Sequence, residues 1–210
     1  MNLLITGVGG QGIVMASDIV SEVALATGYD VKKTDTIGMA QRGGSVISNV
    51  RIAPKVFSPL IPDGEVDILL AFEKLEATRW IHHLHPNGIA IVNNHTLPPL
   101  SVSAGMACYP SDEKIIDSLK QRTARIYFID GTRKANELGN IRTLNTFMLG
   151  CASIFLPFKM LVWKDCISWK LPAKIHKINL TVFSQGRKEM KKVSKLTRLE
   201  NRAEYRQDER

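Results

Sequence analysis

The feature that most constrains this chain is a run with four glycines in six residues, Gly7-Val8-Gly9-Gly10-Gln11-Gly12. It stands between an apolar run at residues 2–6 and residues 13–27, where apolar side chains recur at helical spacing until Gly28 marks a helix end. Strand, glycine turn and helix in that order gather backbone N–H groups and the positive end of a helix at one spot, which suits a phosphate or a carboxylate. Gly7-x-Gly9-x-x-Gly12 has the spacing of a dinucleotide fingerprint, and Asp35 falls about where that fingerprint places its ribose-binding acid. The competing reading is that these glycines only permit a tight turn and close strand–helix packing.

The next segments repeat the theme. Residues 29–34 and 46–52 have strand character, and between them lies a second glycine loop, Thr36-Ile-Gly-Met-Ala-Gln-Arg-Gly-Gly-Ser45. Strands are expected at 66–72, 89–93, 106–109 and 124–129, with helices at 73–85 and 112–123; Pro86-Asn87-Gly88 is expected to close the first of these helices. Four further helical segments follow from Thr132, at 132–138, 141–155, 161–170 and 173–186. The fold class expected is therefore α/β, a doubly wound and mostly parallel sheet with helices on both faces, followed by a C-terminal helical appendage. Residues 1–186 form one domain on this reading, with the sheet in 1–131 and the appendage in 132–186, and residues 187–210 form a basic tail, helical or disordered.

Composition narrows the function classes. The 210 residues, 44% of them hydrophobic, suffice for one core. The net charge of +8 looks suited to nucleic acid, but residues 187–210 hold nine Lys/Arg against five Asp/Glu, so half the surplus lies in a mixed-sign tail and nucleic acid is not the expected partner. Cys108, Cys151 and Cys166 are odd in number and have no C-x-x-C spacing, which argues against a disulfide framework and against an iron–sulfur cluster held by this chain. No basic leader precedes the first apolar run and no stretch is long enough to span a bilayer, so a cytoplasmic protein without a membrane anchor is expected.

Adjacent parallel strands end on one edge of a sheet, so both glycine loops are expected to line a single crevice. The candidate anion-binding or partner-site residues are Gly9, Gly10, Gln11 and Gly12 from the first loop and Gln41, Arg42, Gly43, Gly44 and Ser45 from the second. Arg42 leads this set, because a guanidinium flanked by glycine amides grips a carboxylate or phosphate with two hydrogen bonds; an ion pair is its bland alternative. Gln11 is assigned a ligand or partner-loop role over helix capping. Asn145 is read as a buried hydrogen bond between helices. Glu73 and Glu76 are read as carboxylates favoured at a helix start, not as an acid–base pair. No metal site is expected: adjacent His82 and His83 point to different sides of a helix, and His82 and His85 lack a third ligand. Trp80, Trp163 and Trp169 are read as core or partner-facing surface. No catalytic side chain is identified.

Several ordered motifs carry a family resemblance: Gly7-Val-Gly-Gly-Gln-Gly-Ile13, Gly38-Met-Ala-Gln-Arg-Gly-Gly-Ser-Val46, Asp67-Ile-Leu-Leu-Ala-Phe-Glu-Lys-Leu-Glu-Ala77, and Gly139-Asn-Ile-Arg-Thr-Leu-Asn145 before Met148-Leu-Gly150. They resemble the gamma-type domain of 2-oxoacid:ferredoxin oxidoreductases, and within it the branch that acts on indolepyruvate, over the chain to about Gly186. The resemblance implies a subunit of a heteromeric complex that oxidatively decarboxylates an aryl 2-oxoacid to an acyl-CoA and passes electrons to ferredoxin. It implies that thiamine diphosphate, its magnesium and the iron–sulfur clusters reside on a large alpha subunit, that CoA is a co-substrate of the complex, and that this chain binds no cofactor alone and is inert alone. The sequence has no Gly-Asp-Gly followed by paired Asn that would hold a thiamine diphosphate magnesium. One departure stands out: the family's histidine before the Gly-Met-x-Gln-Arg-Gly-Gly run is Ile37 here, an apolar chain in place of an imidazole. A non-catalytic nucleotide- or CoA-binding or scaffolding module using the same crevice is the alternative.

Overall fold

The first apolar run becomes β1 (Asn2–Val8), which is buried on both faces from Leu3 onward, as a strand at the centre of a covered sheet must be. In the computed structural model, residues 1–38 and 43–207 are described, with side chains through residue 195. Gly12, at φ 82°, turns the chain into α1 (Ile13–Ala26), whose Ile13, Ala16, Ile19, Val20 and Val23 pack on one face of the sheet. β2 (Asp30–Ile37) and β3 (Ser45–Ala53) follow as an antiparallel pair around the second glycine loop.

β3 then pairs antiparallel with β1, from Asn2↔Arg51 to Val8↔Ser45. β4 (Val66–Ala71) lies parallel to β1 on its other side. Next come α2 (Lys74–Trp80), β5 (Leu84–Asn93), α3 (Leu100–Ser103), α4 (Asp112–Lys120) and β6 (Ile126–Ile129). The sheet order is β2-β3-β1-β4-β5-β6, with β4, β5 and β6 all parallel. The sheet is thus mostly parallel as expected, with β3 reversed. α5 (Gly131–Glu137), α6 (Leu144–Ala152), α7 (Met160–Lys170) and α8 (His176–Gln207) complete the chain.

Strand alternation divides the core between two faces. Leu3 and Ile5 face α1, α6, α7 and α8, where Phe147, Trp163 and Phe183 are fully enclosed. Leu4 and Leu69 face α2 and α4, through Ala77, Ile115 and Leu119. Each such large side chain contributes roughly 1.5–3 kcal/mol by leaving water. The C-terminal helices expected as an appendage share the α1 core, and α8 continues without a break through Gly186 into the basic tail.

Two local expectations differ from the structure. Residues 84–88 belong to β5, not to a helix end: α2 stops at Trp80, a 3-10 turn spans Ile81–His83, and β5 starts at Leu84 with a bulge between the Val66↔Leu84 and Ile68↔Ile89 pairs. Pro86 forbids a helix interior and biases His85 toward extended backbone, so the helix yields several residues earlier. Residues 106–109 form no strand; their sheet position is unneeded because β6 pairs directly with β5, and Tyr109 instead reaches α2 with its hydroxyl.

Candidate functional site

The ends of β1, β4, β5 and β6 open on one edge of the sheet, where ligands of open α/β sheets bind. Two side-chain amides, one half-buried and one buried, cross-link these ends. Gln11 accepts from the Val8 N–H at 2.8 Å through Oε1 and donates from Nε2 to the Phe72 carbonyl at 3.2 Å, joining β1 to the end of β4. Asn93 donates to the Phe72 carbonyl at 2.9 Å and to Thr132 Oγ1 at 2.8 Å, and accepts from the Thr132 N–H at 3.1 Å. The Gln11 amide, assigned a ligand or partner-loop role from sequence, makes these two backbone links and is left half-exposed. A Cβ on Gly7 would stand 2.6 Å from Gln11 Oε1, so that glycine makes room for the link.

The two glycine loops meet here, though not by the route expected. β1 and β2 are not neighbours, since β3 lies between them; the hairpin carries the chain back so that the Gly9 N–H donates to the Gly44 carbonyl at 2.8 Å. Gly43, at φ +81°, is exposed beside this contact. Gln41 and Arg42 lie outside the described residues. Ser45 turns inward, its Oγ donating to Glu76 Oε2 at 2.5 Å.

Beside the joined loops is a cleft of about 450 Å³, lined by Gly10, Gln11 and Gly12 after β1, His95 and Leu97 after β5, Thr132 after β6, and Arg142. The start of α1 leaves its first N–H groups without helical acceptors at this cleft. Arg142 is exposed, and its guanidinium has no carboxylate partner among the described residues, whereas nearby Arg133 is consumed by Asp130 at 3.0 Å and Glu137 at 2.6 Å. Hydrogen bonds from Arg133 and then Asn94 hold the Asp130 carboxyl below its usual range. The cleft therefore presents positive potential without a bound counter-charge of its own. Sequence reasoning passed over His95, Thr132 and Arg142 as site residues. The signal for the first two was position, since each follows a strand end on the ligand-binding edge.

Two buried glutamates on α2 shape the walls. Glu73, 1% exposed, caps α2 by accepting from the Glu76 N–H at 3.0 Å, and its other oxygen accepts from the Leu97 N–H at 3.1 Å and from the Tyr109 hydroxyl. Glu76, 3% exposed, accepts from Ser45 and from Arg79 at 2.6 Å. Both are saturated with donors, and neither is aimed at the cleft as a free acid or base. Asn145 lies under the site: its Oδ1 accepts from the Thr146 N–H at 2.8 Å, and its Nδ2 would meet a Cβ on Gly12 at 2.9 Å.

Asp35 does not play the ribose-binding part its spacing allowed. It accepts from Ser48 Oγ at 2.6 Å and pairs with Lys33 at 2.8 Å, and β3 separates it from the β1 turn. Of the cysteines, Cys151 and Cys166 are buried and Cys108 is exposed. Burial pushes the Cys151 thiol far up.

The model of the pyruvate ferredoxin/flavodoxin oxidoreductase family matches residues 2–189. Indolepyruvate oxidoreductase subunit IorB of Pyrococcus horikoshii is 35% identical over 198 residues, 93% of this chain and 98% of its own. Among solved structures, the gamma subunit of a keto/oxoacid ferredoxin oxidoreductase from Geobacter sulfurreducens has a TM-score of 0.67 at 18% identity, covering 90% of this chain and 97% of that one. The 2-oxoglutarate:ferredoxin oxidoreductase of Magnetococcus marinus, solved with 2-oxoglutarate, coenzyme A and succinyl-CoA, has a TM-score of 0.72 at 19% identity, covering 91% of this chain and 31% of that one. At such identities the two structures establish the fold. No helix among the described residues is long and apolar enough to cross a membrane.

Proposed function

Because the chain belongs to the pyruvate ferredoxin/flavodoxin oxidoreductase family, we propose that it is the small subunit of a cytoplasmic, heteromeric oxidoreductase that converts indolepyruvate or another aryl 2-oxoacid to its acyl-CoA and delivers the electrons to ferredoxin. The observation that carries this reading is the end-to-end likeness to an indolepyruvate oxidoreductase subunit, which is confined to no single motif.

The residues present do not fit an iron–sulfur cluster: two cysteines are core side chains, and the one group of three or more metal-capable side chains among the described residues contains none of them. Thiamine diphosphate, its magnesium and the clusters, held by a larger partner subunit, would supply the decarboxylation and the electron transfer. This chain's part is positional. The N–H groups at the start of α1, the Thr132 hydroxyl and Arg142 hold an anionic group, either a phosphate of CoA or the 2-oxoacid carboxylate. Leu97 and Ile141 line the cleft while 40% and 53% exposed, an apolar rim that the large subunit covers, excluding water from the reaction. On this reading the chain supplies no nucleophile to the reaction.

The test is co-production with the large subunit, followed by measurement of indolepyruvate- and CoA-dependent ferredoxin reduction. Arg142→Ala should leave the complex assembled and raise KM for CoA or for the 2-oxoacid at least about tenfold, the loss of a charge-assisted pair. Absence of a complex, or a complex without 2-oxoacid-dependent reduction, defeats the proposal. CoA binding without turnover would transfer the chain to the scaffolding class.

A further inference from the structure

Opposite the cleft, at the edge where β4 and β5 begin, Asp63, His82 and His83 converge: one ligand-capable atom from each lies within 4.8 Å of the others. The elements explain the meeting. His82 and His83 occupy the 3-10 turn Ile81–His83 between α2 and β5, so the divergence expected of adjacent residues on an α-helix does not apply, and their rings sit 4.2 Å apart between centroids. Asp63 comes from the turn before β4, where Gly64 at φ +78° reverses the chain. His85, the other histidine considered with His82, has entered β5 and accepts from the Asn87 N–H at 3.1 Å.

We propose that Asp63, His82 and His83 form a surface site for a zinc-class divalent cation, with water completing its coordination. Two imidazoles and one carboxylate are a donor set for Zn²⁺ and its neighbours, whereas Mg²⁺ and Ca²⁺ require oxygen donors. A second observation points the same way: His83 Nδ1 is buried without a hydrogen-bond partner among the described residues, although Asp63 Oδ1 stands only 2.8 Å away in a poor orientation for one. With the ring proton on Nε2, Nδ1 offers its lone pair to a cation that also takes the Asp63 carboxylate. Bonds of about 2.0–2.1 Å set ligand atoms roughly 3.4 Å apart around a tetrahedral ion. Reaching that spacing takes a small parting of Asp63 from His83 and a turn of exposed His82 toward them. The Trp80 ring, stacked on His83 at 5.3 Å, holds the half-buried imidazole in place. A bound ion would tie the turn before β4 to the turn before β5, a clamp on the rim away from the chemistry.

Tag-free full-length chain titrated with ZnCl₂ by calorimetry should bind one ion at this site, with MgCl₂ giving no heat. His82→Ala and Asp63→Asn alter exposed side chains, so the fold should persist, while each weakens Zn²⁺ at least about tenfold by removing one of three ligands. Zinc should also raise the thermal midpoint of the intact chain and leave that of both variants unmoved, because an ion that binds only the folded state stabilises it. No zinc binding to the intact chain, or affinity unchanged in both variants, overturns the assignment.

Discussion

Glu76 receives the Ser45 hydroxyl at 2.5 Å, which ties the start of β3 to α2 and so fixes the position of Gly44, the acceptor for the Gly9 N–H. One carboxylate thereby registers both glycine loops. It does so from within the protein, where Thr6 Oγ1 also approaches at 3.5 Å and Arg79 supplies the compensating charge. Glu76→Ala would leave Ser45 and Thr6 facing an apolar void and should cost about 2–4 kcal/mol, in the range for breaking a buried polar pairing. Urea unfolding measures the loss. A cost under about 0.5 kcal/mol, the size of a surface change, would show that the loops are registered by their backbone alone.

The helices after β6 are fastened to one another by two glycines. A Cβ on Gly186 would lie 2.1 Å from the Phe147 carbonyl oxygen, and one on Gly150 would lie 2.3 Å from that of Phe183. Both obstacles are backbone, so neither can rotate aside; α6 and α8 would have to separate, opening the contacts of Phe147 and Phe183. Gly186→Ala should therefore destabilise by roughly 3 kcal/mol, despite alanine's better helix propensity. Ala in place of the neighbouring exposed Lys188 gives the control for propensity, and denaturant midpoints of the two variants should move in clearly different ways.

These cases also show what the sequence could and could not carry. The first glycine turn, its strand and its helix are local, with apolar periodicity and a positive φ at Gly12 all pointing the same way, and the structure has them nearly residue for residue. The reversal of β3 is not local. A strand between two glycine loops has the same pattern whichever way it runs, so its direction is settled by pairing with β1, which no periodicity reports. Gly186 looked like the end of a resemblance and of a helix; it is mid-helix, and its reason is a carbonyl 39 residues away in sequence (Phe147 to Gly186). The cleft was half legible. The loop of Gly10 and Gly12 was visible as a motif, but Arg142 reaches the same space only because α6 packs beneath α1, and nothing near position 142 announces that packing.

Asp18 gives the fold a pH-dependent element. Burial by itself would raise its pKa, but hydrogen bonds from Lys33 at 2.5 Å and from Lys170 outweigh that and hold the carboxyl below its ordinary value. A depressed folded pKa means the stabilisation is present above the unfolded value, near 3.9, and is lost as pH falls through the folded one. Asp18→Asn should thus lower stability modestly at neutral pH and converge with the parent chain in acid. Thermal midpoints across the acid range check this; parallel curves would show that the α1–β2–α7 ion cluster is solvated decoration.

Gly10 and Gly12 separate the structural from the functional use of the first loop. Both have positive φ, 102° and 82°, so alanine at either pays backbone strain of order 1 kcal/mol. Their surroundings differ. A Cβ on Gly12 meets the Asn145 amide at 2.9 Å, whereas one on Gly10, a residue that lines the cleft, meets nothing within 4 Å. Gly12→Ala must therefore push Asn145 off its seat and should cost about 2–3 kcal/mol, strain and overpacking together. Gly10→Ala should cost the fold only that backbone strain, about 1–2 kcal/mol, and also block close approach of an anion to the loop, lowering CoA or 2-oxoacid affinity of the assembled complex at least about tenfold. Denaturation of the isolated chain reads the first effect and KM of the complex reads the second. Equal stability losses with unchanged KM in Gly10→Ala would mean that the glycines serve only to turn the chain, and that the ligand is held elsewhere.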